Sequence, residues 1–169
     1  MISKKMNKAL NKQLNREFHS AYIYLGLSAY AASEGYNGFA SWFMIQNREE
    51  LAHGMKLYKY LEDQDAKIKL KDIPAYNFKG QDIKEAFKVA LEHEQKMTGW
   101  LNELSGLAMQ EKDHATYNML QWYVTEQVEE EASFKEILDK IELVGTSGNG
   151  MYNLDKELGS RTFVDPTQE

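Results

Sequence analysis

The sequence predicts an all-α protein in which four long helices form a bundle with one long crossover connection. Only two prolines, Pro74 and Pro166, occur in 169 residues, so three long stretches are free of the strongest helix breaker. In these stretches apolar residues recur every three or four positions, which is the period of a helix with one buried face. Residues 65–81 lose this period and contain a proline and a glycine, which predicts a single long loop between two helical pairs.

The predicted helices are bounded by ordinary start and stop signals. Five are expected, at about 4–33 (α1), 38–64 (α2), 82–110 (α3), 113–144 (α4) and 151–158 (α5). Gly35 follows the end of α1, and Asp82 with Glu85 predicts a capping box at the start of α3. A turn is expected at 148–150, and the last residues, 159–169, are expected to be frayed.

Connection lengths predict the topology. The short links from α1 to α2 and from α3 to α4 predict two antiparallel helical hairpins. Helix α2 spans about 40 Å, whereas the loop at 65–81 can reach about 55 Å when extended. This loop can therefore run the length of the bundle and start α3 parallel to α2. The whole chain, 1–169, is expected to be one domain.

Composition excludes several classes of function. Apolar residues make up 43% and charged residues 27% of the chain, an ordinary balance for a soluble protein. There is no cysteine, so any metal must be bound by oxygen and nitrogen ligands. The net charge of -6 argues against nucleic-acid binding. No apolar run is long enough to span a membrane or to serve as a secretion signal, so we expect a cytoplasmic protein with no membrane partner.

Each long helix carries an apolar stripe that is interrupted near its midpoint by acidic or amide side chains. In α2 these are Glu50 and His53, which lie three apart and therefore on one face of the helix. The full set is Glu17 in α1, Glu50 and His53 in α2, Glu94 in α3, and Gln127 and Glu130 in α4. Since midpoints of antiparallel helices lie at one level, these side chains are expected to meet in one buried layer. Buried charge of this kind is costly without a partner.

The charge of this layer indicates a metal centre. Its four carboxylates carry four negative charges, which two divalent cations would cancel, and without metal some would take up protons. Many oxygen ligands with one imidazole suit iron or manganese and tolerate zinc. Five ligands for two ions leave positions open for water or dioxygen. The alternative is a polar layer that only fixes the register of the bundle.

With these residues the sequence resembles the ferritin family, of the non-haem bacterial or archaeal type. The resemblance covers the whole chain and rests on Glu17, Glu50-Leu-Ala-His53, Glu94 and Glu126-Gln127-Val-Glu-Glu130, with Tyr24 beside them. It implies a ferritin-like four-helix bundle with a short fifth helix. It also implies a 24-subunit hollow cage that oxidises iron(II) with dioxygen or hydrogen peroxide and stores the ferric mineral inside.

The resemblance also implies a role for each site residue. Glu17, Glu50 and His53 would hold the first iron, and Glu50, Glu94 and Glu130 the second. Gln127 would orient the oxidant or a bridging oxygen. Tyr24 would support the site or act as a redox-active tyrosine.

A third iron site is expected from geometry and resemblance together. Glu49 neighbours Glu50 but points about 100° round the helix, away from the central layer. Glu126 and Glu129 bear the same relation to Gln127 and Glu130. These three acids are therefore expected to converge just outside the di-iron pair, sharing Glu130 with it.

Two departures distinguish this chain from other di-iron bundles. Bacterioferritins place a haem-ligating methionine where this chain has Leu51, so no haem is expected. Many di-iron proteins repeat Glu-x-x-His on a second helix, whereas α4 has Gln127-x-x-Glu130. The competing interpretations are another di-iron carboxylate oxidase or peroxidase and a non-enzymatic helical bundle with a polar core. Iron-dependent oxygen uptake separates all three.

Overall fold

The structure, a computed structural model, describes residues 2–145 and 147–168. Its elements are α1 (Lys4–Ser33), α2 (Asn37–Asp63), α3 (Ile83–Gln110), α4 (His114–Val144), α5 (Gly148–Leu158) and a 3-10 helix (Pro166–Gln168). The predicted all-α bundle is confirmed, and the bounds of the first four helices differ from the predicted ones by at most one residue. Within the described ranges, no helix is both long and apolar enough to cross a membrane.

The starts of α3 and α4 are fixed by aspartate caps. Asp82 accepts a 2.8 Å hydrogen bond from the Glu85 N–H, and Asp113 accepts one of 3.1 Å from the Thr116 N–H. The Glu85 carboxylate reaches back to the N–H of Gln81 at 2.8 Å, one residue before the cap. Both ends of the predicted capping interaction are therefore satisfied.

Helix α5 begins at Gly148, three residues earlier than expected, and the prediction of a turn at 148–150 was wrong. The Ser147 hydroxyl accepts a hydrogen bond from the Gly150 N–H at 3.2 Å, so these residues form the first helical turn. Farther along α5, the Asp155 carboxylate accepts bonds from the N–H groups of Gly38 and Phe39 at 2.8 and 3.0 Å. This contact anchors α5 to the start of α2.

The long crossover lies along α1 in an extended conformation. Asn11 donates to the Lys67 carbonyl at 3.0 Å and accepts from the Lys69 N–H at 2.6 Å. Asn15 repeats the pattern with the Lys69 carbonyl at 2.8 Å and the Lys71 N–H at 2.7 Å. Four helical residues and two extended residues both span about 6 Å, which keeps the two ladders in register.

Two apolar clusters fill the two ends of the bundle. One contains Phe39 from the start of α2 and Phe87 from the start of α3, while the other contains Leu61 and Leu104 from their far ends. Helices α2 and α3 therefore run parallel, as the crossover predicts. Each large apolar side chain buried here contributes about 1.5–3 kcal/mol. Between the two clusters lie the buried glutamates of the central layer, one from each long helix: Glu17, Glu50, Glu94 and Glu130.

The C-terminal segment, residues 160–168, packs against α2, so the prediction of a frayed end was wrong for these residues. Arg161 pairs with the Glu49 carboxylate at 2.9 Å, and the Phe163 ring lies under the Arg48 guanidinium at 3.9 Å. Arg161 and Phe163, two residues apart, thus contact Glu49 and Arg48, which are neighbours in α2. The prediction also covered Glu169, which lies outside the described residues.

Candidate metal centre

The centre of the bundle brings Glu17, Glu50 and His53 together. One ligand atom from each lies within 4.8 Å of the other two, and their side chains are only 1%, 1% and 2% exposed. In the described part of the chain no other three histidine or acidic residues meet this closely. The group joins α1 to α2 at the level predicted from the interrupted stripes.

Glu50 and His53 present buried polar atoms with no hydrogen-bond partner. These are both carboxylate oxygens of Glu50, which lie beside the Glu17 carboxyl, and Nε2 of His53, which lies 4.0 Å from a carboxylate oxygen of Glu126. Nδ1 of His53 lies 3.9 Å from the Glu50 carboxylate. Buried polar groups in proteins are nearly always paired, and an ionised carboxylate left alone in the interior is especially costly. Unpaired oxygen and nitrogen donors at one point are what a divalent cation requires, so the residues fit a metal ion.

The three carboxylates of the central layer other than Glu50 each accept a hydrogen bond from a glutamine amide. The pairs are Gln13 to Glu17 at 2.8 Å, Gln127 to Glu94 at 3.0 Å, and Gln46 to Glu130 at 2.7 Å. A neutral amide orients a carboxylate without cancelling its charge. The amides therefore hold three of the acids in place without supplying a positive counter-charge.

Tyr24 lies beside the layer and is fully buried. Its hydroxyl donates to the second oxygen of Glu94, and its ring is nearly parallel to those of Phe43 and Phe134, with centroids 6.4 and 5.8 Å away. Burial, followed by the charge of Glu94, raises the pKa of Tyr24 well above its usual value. The phenol therefore stays protonated and fixes Glu94.

The electrostatics of the site are those of several acids crowded together in the buried interior. Burial raises the pKa of Glu17 to about 7. Burial and then the charges of Glu94, Glu17 and Glu130 raise the pKa of Glu50 well above its ordinary value. Burial lowers the pKa of His53 to about 4, so its imidazole is neutral at pH 7. Neutral imidazole is the form that binds metal.

The acids expected at the third site border one small cavity. Its volume is about 180 Å³, and it is lined by Glu49, Glu126, Glu129, Glu130, Ser133, Arg161, Val164 and Pro166. The carboxylate oxygens do not approach one another as closely as those of the first group, since no second close group occurs among the described residues. Glu49 is instead turned toward Arg161.

Sequence reasoning missed three residues that position the acids. Gln13 and Gln46 lie four residues before Glu17 and Glu50, one helical turn away and on the same face. This spacing is a signal that could have found Gln13, which bonds to Glu17, but Gln46 bonds instead to Glu130 of α4. Arg161 carries no such signal, because it reaches Glu49 from 112 residues away in the chain.

Together the fold and the site define a four-helix bundle with a buried carboxylate–histidine group at its midpoint that could hold a metal ion. The ferritin-like domain of the ferritin family matches residues 7–144. This match covers most of the chain, and it agrees with the fold and with the residues of the centre. The chain belongs to the ferritin family.

Relatives and solved structures agree with this assignment. A bacterial non-heme ferritin from Staphylococcus aureus (strain MRSA252) is 40% identical over 163 residues, covering 96% of this chain and 98% of the relative. A ferritin from Archaeoglobus fulgidus, engineered into a closed form, superposes with a TM-score of 0.95 at 44% identity and covers 97% of this chain and 100% of its own. An open-pore ferritin from the same archaeon gives a TM-score of 0.94 at 44% identity, covering 96% of this chain and 100% of its own.

Proposed function

We propose that this protein stores iron and has ferroxidase activity. It oxidises iron(II) to iron(III) with dioxygen or hydrogen peroxide at a di-iron site within each subunit, and it retains the product as a ferric mineral inside a 24-subunit cage. The observation that carries the proposal is the close group of Glu17, Glu50 and His53, with its unpaired buried atoms. The ferritin relatives support the same activity.

The first iron(II) ion binds to Glu17, Glu50 and His53. The imidazole is already neutral, because burial lowers the pKa of His53 to about 4. Burial raises the pKa of Glu17 to about 7, so this carboxyl is partly protonated at neutral pH. Binding of the cation therefore releases protons from the acids.

The second ion binds to Glu50, Glu94 and Glu130. Glu94 is tied to Tyr24 and Gln127, and Glu130 is tied to a glutamine amide. These hydrogen bonds must loosen before the carboxylates can reach a metal. The Gln127 amide lies at this position and orients the oxidant or a bridging oxygen. Tyr24 supports Glu94 and is placed to exchange an electron with the site.

The redox balance requires both ions of the pair. Two iron(II) ions give up two electrons, which with two protons reduce one dioxygen to hydrogen peroxide. With hydrogen peroxide as oxidant, the same electrons and two protons yield two waters. The negative layer stabilises the higher charge of the iron(III) product.

Glu49, Glu126 and Glu129, together with Glu130, form a third iron site. Being less enclosed, this site binds more weakly, exchanges faster and tunes how oxidised iron leaves the pair. Changing the first three acids to alanine should leave the first two ions oxidising fast but alter the iron-to-oxygen ratio in later turnovers. Identical metal stoichiometry and multi-turnover kinetics in wild type and variant would show that this third site does not exist.

The assembly is a homo-oligomer of the chain, acting in the cytoplasm without haem, nucleic acid or membrane. Twenty-four copies of the 19.6 kDa chain have a mass of about 470 kDa. Light scattering coupled to size-exclusion chromatography tests this directly. A monomer or dimer at micromolar concentration would contradict the cage.

Oxygen uptake after mixing with iron(II) tests the site. Glu50→Ala and His53→Ala should abolish the rapid phase while the protein stays folded by circular dichroism. Glu111 and His114 repeat the Glu-x-x-His spacing at the α3–α4 connection, where Glu111 accepts a bond from Ser3 at 2.6 Å. Changing either to alanine is therefore the matched control and should leave the rate unchanged.

The stoichiometry of oxygen uptake separates the competing functions. Iron storage consumes many irons per chain, another di-iron oxidase or peroxidase consumes about two, and a bundle with a purely structural polar core consumes none. Wild-type rates in both Glu50→Ala and His53→Ala would refute the assignment of the site.

A further inference from the structure

The C-terminal segment, residues 160–168, brings a cation into the acidic cavity beside the di-iron site. Nη2 of Arg161 lies 2.9 Å from each oxygen of Glu49. Nη1 of the same guanidinium donates to the side-chain amide oxygen, Oε1, of Gln46, and its Cζ lies 5.0 Å from the ring centre of Trp42. Three contacts of different kinds therefore fix one positive charge at the position expected to receive metal.

The same segment also lines the cavity. Val164 and Pro166 are among the lining residues, and the Phe163 ring lies under Arg48 at 3.9 Å. Burial raises the pKa of Glu49, and the charge of Arg161 opposes that effect. Arg161 is thus a counter-ion that partly offsets the effect of burial on Glu49.

Arg161 also acts on a second acid through Gln46. Because the Gln46 carbonyl oxygen faces Arg161, its amide group faces Glu130 and donates to that carboxylate at 2.7 Å. One cation therefore holds Glu49 directly and Glu130 indirectly. These are two of the four carboxylates that would bind the third ion.

We propose that Arg161 is an internal competitor for the third metal position and that a divalent cation binds there only by displacing it. This inference rests on the third site of the proposed function. Both oxygens of Glu49 are already bonded to the Arg161 guanidinium, so a metal ion that uses this carboxylate must take it from the arginine. Displacement of Arg161 frees the carboxylates of Glu49 and Glu130 and releases residues 160–168 from α2. Arg161 thereby lowers the affinity of the third position, which fills only at a higher metal concentration.

Titration calorimetry with zinc(II), which has no redox chemistry, tests the competition on the assembled metal-free protein. In Arg161→Gln the third ion should bind at least about tenfold more tightly, while the ion held by Glu17, Glu50 and His53 binds as in wild type. Arg161→Lys keeps the charge but loses the planar contact, so its affinity should lie between the two.

Arg48→Gln is the matched control. It removes one positive charge from α2, next to Glu49, and it loosens residues 160–168 by removing the contact with Phe163. Arg48 does not line the acidic cavity. An affinity gain in Arg48→Gln as large as that in Arg161→Gln would overturn the proposal, because general charge or a looser segment would then explain it. Unchanged third-ion affinity in Arg161→Gln would also overturn it.

Hydrogen–deuterium exchange tests the release of the segment. In wild type, zinc(II) beyond two ions per chain should speed exchange in a peptide covering 160–168, whereas the first ions should not. No change in this peptide when the third ion binds would overturn the displacement. If a triple alanine variant of Glu49, Glu126 and Glu129 still binds three ions, these acids do not form a third site, and the proposed function fails at that point instead.

Discussion

Replacing Glu17 by glutamine is expected to stabilise the metal-free protein and to weaken its first metal position. Glutamine keeps the shape of the side chain and the Oε1 atom that accepts the bond from Gln13. It removes the ability to ionise and puts an amide NH2 group in place of the second carboxylate oxygen, beside Glu50. The carboxyl of Glu17 is completely buried, and burial is the main cause of its raised pKa.

The magnitude follows from the pKa. Burial raises the pKa of Glu17 from 4.5 to about 7, and each pKa unit corresponds to about 1.36 kcal/mol. Because the folded pKa lies above the unfolded one, the stability from the protonated carboxyl is fully present below pH 4.5 and is lost as pH rises through 7. Glu17→Gln avoids this loss, so its advantage grows from near zero at pH 4.5 to about 3 kcal/mol at pH 8.

Scanning calorimetry in the presence of a chelator measures this effect. For a chain of this size about 3 kcal/mol corresponds to a Tm increase of roughly 6–12 °C. Wild type and variant must be compared at equal protein concentration, because assembly contributes to stability. Glu92→Gln, on an exposed position of α3, is the control and should change little. With excess zinc(II) the order should reverse, since wild type binds the metal more tightly. Equal Tm values at pH 8 without metal, or an advantage that grows toward low pH, would refute the reasoning.

Three further predictions concern the metal positions. Once the rapid phase is lost in both variants, the residual iron(II) oxidation should be slower in Glu50→Ala than in His53→Ala, because Glu50 is the residue expected to touch both ions; equal residual rates in a stopped-flow comparison would count against a bridging role. Haem added to the purified protein should give no stoichiometric visible band, because Leu51 offers no sulfur; about one haem per two chains would contradict this. Glu130→Ala should remove the second zinc(II) ion but leave the first, because the first three ligands are already close together, and calorimetric loss of both ions would show that the pair binds as a unit.

The fold was predictable because each level of the sequence points to the same arrangement. Periodic apolar stripes, few prolines and one long loop define the bundle, and a carboxylate interrupts each stripe near its midpoint. Two apolar clusters then fill the ends of the bundle. Glu17, Glu50 and His53 are brought together because helix midpoints lie at one level.

The remaining features depend on contacts that no local pattern encodes. The start of α5 was misplaced because the cap provided by Ser147 outweighs the low helix propensity of Gly148 and Gly150. The C-terminal segment was misjudged because its order comes from Arg161 meeting Glu49, a contact between distant parts of the chain. Such contacts can be identified only from the three-dimensional structure, in which residues 160–168 pack against α2.

Iron retention by the assembled particle tests the central claim most directly. Purified metal-free protein would be given iron(II) in air at a large excess per chain, passed through a size-exclusion column and assayed for iron in the protein peak. We predict that many more than two iron(III) ions per chain elute with a particle of about 470 kDa. Glu50→Ala should assemble equally well but load iron far more slowly. Two or fewer irons per chain in the wild-type peak, or a peak at the mass of a single chain, would contradict the account.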